Sequence, residues 1–210
     1  MEEAEQERVR RRKIVVEECD GIVPHYEVFY LVSVMYAAGR ADEAFNRYKA
    51  ALDHEDDDLD DALVVASVHE ALTHVAALSR FFWPASKKSL PQARGQRLRQ
   101  AFDIEDDCPL HDRELRNALE HFDERLDEYL IGNLAGNIFP GPMVDTAALA
   151  QDSITKIFRL VDPEWNLFVL LGEQHSFGGV HEMVVDIFNK ALEMCDNGGN
   201  LRLRIATEHR

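Results

Sequence analysis

"LDDALVVASVHEALTHVAALSRFFW", residues 59–83, holds apolar residues on nearly every side of a helical turn, with only Ser, Thr, His and a single Glu between them from Ala62 to Arg80. A run of this length at helical period predicts a long core helix, and Pro84 stops it because proline cannot continue the hydrogen-bond ladder. A helix apolar nearly all round must be enclosed by other elements, so the chain around it is expected to be a helical bundle.

Upstream, Phe29, Leu31, Val32, Val34, Met35 and Tyr36 predict a helix from Pro24 that weakens at Gly39. A second helix is expected from Asp42, carrying Ala44, Phe45, Tyr48, Ala51 and Leu52. "YAAGRADEAFNRYKAAL", residues 36–52, looks like half of a tetratricopeptide repeat. No second copy follows at the ~34-residue period, so the segment is read as a helical hairpin inside the bundle. Downstream of Pro84 a Ser/Lys/Pro-rich loop leads to a short helix near Gly95–Phe102, then a connector, then a helix over about 111–131.

After Gly132, "GNLAGNIFPGPM" is dense in turn formers and reads as a linker over 132–154. In "TKIFRLVDPEWNLFVLLGEQHSF" two β-rich runs, 156–161 and 167–171, flank "DPEWN" and predict a β-hairpin, the second run extending as far as Phe177. Residues 180–195 return to helical period, and 197–210 are expected as a frayed tail or short strand. The expected fold is mainly α: a charged N-terminal segment (1–23), a helical bundle (24–131), the linker, and a small C-terminal β-hairpin plus a final helix (155–196).

Composition narrows the classes. At 46% hydrophobic and 30% charged, the 210 residues belong with globular chains, as one domain with an appendage or two small domains. No apolar run approaches the ~18–20 residues that span a bilayer, and the N-terminus lacks the apolar core of a signal peptide, so a cytoplasmic protein without membrane partners is expected. Three distant cysteines, Cys19, Cys108 and Cys195, make neither a metal set nor a disulfide framework. Net charge is −16, which counts against gripping phosphates. One segment, residues 80–99, runs the other way: Arg80, Lys87, Lys88, Arg94, Arg97 and Arg99 occur there without one acid, and form the candidate nucleic-acid-binding set. Against it stands "DHEDDDLDD", residues 53–61.

"HDRELRNALEHFDERLDEYL", residues 111–130, carries the candidate chemistry. On an ideal wheel with Leu115 at zero, Leu119, Phe122, Leu126 and Tyr129 lie within about 40° of it and define a buried stripe. Arg116 near ~100° and His121 near ~240° flank an exposed arc that holds Arg113 near ~160° and Asn117 near ~200°. One helix does not bring Arg and His tips together; two copies facing across a two-fold axis would pool them. Histidine can move the proton of a ribose 2′-hydroxyl or of a leaving 5′-oxygen. Arginine offers permanent charge to a phosphorane without a metal, and Asn117 can orient either group.

Arg116 to His121, "RNALEH", resembles the Arg–polar–His signature of the HEPN superfamily, in the company of "LSRFFWP", "ARGQRLRQAFDI" and "LRNALEHFDERLD". The resemblance covers roughly residues 60–130 well and 155–195 loosely. It implies a helical bundle, a homodimer, and in active members metal-independent RNA cleavage in toxin–antitoxin or phage-defence systems, with no cofactor. Arg116 and His121 would then be the catalytic pair and Asn117 the polar assistant, at a composite site on the dimer interface, with RNA as substrate and a cognate antitoxin as partner. The alternative it implies is a catalytically inactive HEPN-like module that binds a protein or a ligand. Some such toxins carry a tyrosine two residues after the histidine, which an antitoxin modifies; Asp123 stands there, so that control is not expected.

Other candidates carry less. His69 and His74 read as core or groove histidines, and His175 and His181 lack a ligand cluster, so no metal is expected. "HSFGGVHE" could receive an anion at a helix start but lacks a phosphate-loop lysine. Trp83 and Trp165 read as packing anchors, with base stacking the alternative for Trp83.

Overall fold

The computed structural model describes residues 2–53, 59–132, 134–152 and 154–202. Seven α-helices run in order as α1 (Glu2–Glu18), α2 (Glu27–Leu52), α3 (Asp61–Phe82), α4 (Ser89–Phe102), α5 (Arg113–Glu120), α6 (Phe122–Ile131) and α7 (Val180–Asp196). Four strands, β1 (Asn137–Val144), β2 (Thr155–Asp162), β3 (Leu167–Leu170) and β4 (Glu173–Ser176), lie between α6 and α7. The chain is thus mainly helical, as the periodicity predicts, with a small sheet inserted before its last helix.

α3 forms the centre. Asp60 caps its start by accepting from the Leu63 N–H at 3.0 Å, and it packs against α2, α4, α5 and the first two strands. An 18-residue window of this helix has a mean hydropathy of 1.4 with no more than two charged residues, so the expectation that no segment is long and apolar enough to span a bilayer is corrected. Here one side of it faces other elements, with Val64, Val68, Leu72, Leu78 and Phe82 fully buried, while Leu63 near its start is 46% exposed.

α2 is one helix of 26 residues, which corrects the two-helix reading and the helical hairpin over 36–52. Gly39 does not break it. A Cβ there would come within 3.1 Å of the Phe188 ring, so this glycine lets α7 approach α2 closely. The charged N-terminal segment is itself helical as α1, and α4 begins at Ser89, six residues earlier than expected. Pro91 sits in its first turn, where backbone N–H groups have no helical partner to lose.

The expected hairpin is β2 and β3, antiparallel with Arg159 opposite Leu170 and Asp162 opposite Leu167. It belongs to a larger sheet of order β1-β2-β3-β4. β1 lies in the stretch read as linker and pairs parallel to β2, with a register irregularity between Phe139 and Pro142. Pro140 and Pro142 are tolerated because β1 is an edge strand, where a missing donor costs no ladder bond. The second β-rich run does not continue to Phe177 as one strand. Leu171 (φ 51°) and Gly172 (φ 78°) form a two-residue turn into β4. Asp162, 3% exposed, ties the region together: its carboxylate accepts from the N–H groups of Ala147, Glu164 and Trp165. Val161, Phe168 and Leu170 share one apolar core with α2, α3, α4 and α7. The tail expected as frayed or strand falls mostly on 203–210, and most of the acidic run on 54–58, outside the described residues.

Candidate functional site

The C-terminal end of α3 decides what the basic segment does. The last carbonyls of a helix have no partner within it and carry the negative end of its dipole. Arg94 Nη2 donates to the Arg80 carbonyl at 3.2 Å, Arg99 Nη1 donates to the Phe82 carbonyl, and Arg116 Nη1 donates to the Trp83 carbonyl at 3.0 Å. Three guanidinium groups from α4 and α5 therefore close one helix end. Gly95 makes room for this: a Cβ there would stand 2.6 Å from the Phe82 oxygen.

The remaining cations of the segment are mostly engaged as well. Arg80 pairs with Glu120 at 2.9 Å, and Arg97, 12% exposed at the side chain, pairs with the buried Glu27 at 3.4 Å. Arg99 also lies 3.6 Å from Asp106 and over the Trp83 ring, and Arg94 over Tyr30. Lys87 and Lys88 are exposed and pair with no acid among the described residues. Of six candidate nucleic-acid contacts, two remain on offer.

The 111–131 helix is two helices. Asp112 caps α5 by accepting from the N–H groups of Glu114 (2.7 Å) and Leu115 (3.3 Å). At His121 the backbone leaves helical geometry (φ −110°, ψ 35°), ending α5 and starting α6. The continuous wheel is corrected accordingly. Leu115, Arg116 and Ala118 are buried; Asn117 is exposed, and the His121 side chain is 57% exposed. Arg116 itself is 5% exposed, held between the Trp83 carbonyl and Glu120, whose carboxylate is 3.9 Å from Nε. Within one chain the three residues divide: Arg116 points into the α3 junction, Asn117 and His121 to solvent. The Arg113 side chain lies outside what the structure describes.

Around His121 the field is acidic. Glu124 Oε2 lies 3.5 Å from its Nδ1. A cleft of about 450 Å³ beside it has a floor of Ala118, Tyr129, Leu170 and Leu171 and a rim of Glu124, Glu128, Glu173 and Arg125. Arg125 is paired with Glu173, so the rim is net negative and repels a phosphate.

The other residues settle into packing. Trp83 is buried, stacked on His111 at 4.6 Å, and donates to Asp106 at 3.3 Å, which removes it from base stacking. Trp165 is 68% exposed on the β2–β3 turn and is no packing anchor, a correction to the sequence expectation. His69 stacks on Phe168, and His181 bonds Asp42 at 2.7 Å across the α2–α7 contact. His175 is 4% exposed and its Nε2 has no hydrogen-bond partner; burial pushes its pKa down. No group of three metal-ligating side chains occurs among the described residues.

Two surfaces escaped the sequence reading. Arg12 and Lys13 of α1 join Lys88 around a groove of about 630 Å³ floored by Val9, Val16, Leu90 and Pro91. The run "RVRRRK", residues 8–13, was the available signal. Phe29, Val32 and Tyr36 of α2, whose spacing signalled only a helix, form an exposed apolar stripe with Tyr26 just before its start. The chain matches no family model, no curated protein and no solved structure.

Proposed function

We propose that the chain is a HEPN-like helical module that retains the Arg–Asn–His order and works by binding, without cutting RNA. The burial of Arg116 against the Trp83 carbonyl carries this reading. With Arg116 5% exposed, Nη1 on the Trp83 carbonyl and Nε facing Glu120, a phosphate reaches its remaining N–H groups only if the α3–α5 junction opens. The acidic rim beside His121 supports it further, since it suits a cationic group of a protein or ligand better than a nucleic acid.

The second reading is a metal-independent endoribonuclease of the toxin or phage-defence kind, with RNA as substrate and a cognate antitoxin as partner. The exposure of His121 and Asn117 at the α5–α6 break favours it, because both are reachable from solvent. The deciding experiment is RNA cleavage in EDTA by wild type, His121→Ala and Arg116→Ala. The binding module cleaves in none of the three. Cleavage by wild type that is lost in a folded His121→Ala variant overturns the first reading and establishes the second.

A further inference from the structure

The exposed face of α2 changes character halfway along. At helical spacing, Phe29, Val32 and Tyr36 share one side with Tyr26 at its edge; the same side then continues as Arg40, Glu43 and Arg47. The rings are not tucked away: Phe29 is 66% exposed, Tyr36 67%, Tyr26 51% and Val32 48%. His25, Tyr26 and Phe29 already touch one another, with centroids 4.1 Å and 6.1 Å apart, so the N-terminal half presents a pre-assembled aromatic cluster.

We infer that this face is where a second copy of the chain docks, α2 against α2, antiparallel about a two-fold axis between Val32 and Ser33. That axis sets Phe29 against the partner's Tyr36, and Tyr36 against the partner's Phe29. On the same register Arg40 faces His25 of the second copy and lies beside its Tyr26 ring, a cation–π partner. The half-overlap pairs rings with rings and leaves Glu43 and Arg47 in solvent. A full-length antiparallel overlap would set the rings against Arg40, Glu43 and Arg47, and a parallel one would align like helix dipoles and set Arg47 on Arg47.

The area suffices. With aromatic side chains carrying about 150–250 Å² each, Tyr26, Phe29 and Tyr36 together with Val32 expose roughly 450 Å² per copy. Two copies therefore bury about 900 Å², and the His25 and Arg40 rim brings the interface to about 1,000 Å², the level that separates specific interfaces from casual contacts. A patch of this size is at the upper end of what a monomer leaves uncovered. Aromatic side chains at the centre with Arg and Glu at the rim also match the usual anatomy of an interface. The proposal does not depend on whether the chain cuts RNA. It differs from a dimer built on Arg116 of α5 and His121 at the α5–α6 break, since α5 packs on α3 and α6 on β2 through Tyr129 and Phe122.

Sedimentation velocity of the full chain tests it. Wild type is expected to dimerise with a micromolar or tighter Kd. Phe29→Glu and Tyr36→Glu should each weaken the dimer at least about tenfold, with unchanged circular dichroism because both side chains lie outside the core. Ser33→Cys should form a disulfide to its mate under mild oxidation, mapped by mass spectrometry to distinguish it from the three native cysteines. A monomeric wild type, meaning a different occupant or none, overturns the proposal. So does a dimer indifferent to both Glu substitutions, or one dissolved instead by Asn117→Glu.

Discussion

Arg116 Nη1 donates to the carbonyl oxygen of Trp83 at 3.0 Å, so the residue that leads the Arg–Asn–His set is also a cap for α3. The bond is buried and charge-assisted, and removing its donor leaves a carbonyl without a partner. Arg116→Ala is therefore expected to cost about 2–3 kcal/mol in urea unfolding, the usual range when a buried bond to a charged group is lost. Asn117→Ala, one residue on but exposed, should stay within about 0.5 kcal/mol of wild type. Equal effects at the two positions would contradict the capping role.

What the sequence could and could not convey divides along the same line. The period of residues 59–83 and 180–195 specified α3 and α7, and the β-rich runs around "DPEWN" specified β2 and β3, because these signals are local. The strand β1 was hidden because its Gly and Pro are tolerated only at a sheet edge, and no local signal says where the edge will be. Gly39 looked like a break until Phe188, nearly 150 residues later, filled the space beside it. The candidate site suffered most. A wheel centred on Leu115 sets Arg116 at the margin of the buried stripe, and only the approach of α3's uncapped end draws it inside.

Gly95 should show a reversed helix-propensity effect. In an exposed helix, Gly→Ala stabilises by about 1 kcal/mol. At Gly95 the added methyl meets the Phe82 oxygen at 2.6 Å and Pro84 Cδ at 2.7 Å, all backbone or ring atoms that cannot yield cheaply. Gly95→Ala is expected to lower the melting temperature by several degrees, and to loosen Arg99 and Arg116 from their carbonyls together. Gly132→Ala, in helical geometry (φ −61°) with only ordinary contacts, is the comparison and should not destabilise.

Glu27 links three parts of the chain. Its carboxylate accepts from Arg97 at 3.4 Å and from the Leu201 N–H at 2.7 Å, while its side chain is 7% exposed. Removing one member of a buried pair strands the other charge, so Glu27→Ala should cost about 3–5 kcal/mol by chemical denaturation. Glu27→Gln keeps an acceptor for Leu201 and should cost less. Because the pair is shielded from solvent, the loss should change little with added salt; a loss that vanishes in high salt would place the pair at the surface.

His175 gives the fold a dependence on mild acid. Burial is the main cause that pushes its pKa below the ordinary 6.5, outweighing the nearby Asp112 and Glu173 carboxylates, and burial does the same for His69 with help from Arg159. A depressed histidine pKa means that, as pH falls through 6.5, the unfolded chain takes up a proton that the folded chain refuses. Stability is then full above about 6.5 and declines below it until the folded pKa is reached, by no more than about 1.4 kcal/mol per pH unit for each group. His175→Leu removes that proton uptake while keeping an apolar side chain of similar size. The expected result is a free-energy difference between wild type and His175→Leu that shifts in favour of the variant as pH drops from 7 towards 5. Two parallel stability curves across that interval would mean that His175 gains its proton as readily inside the fold as outside it.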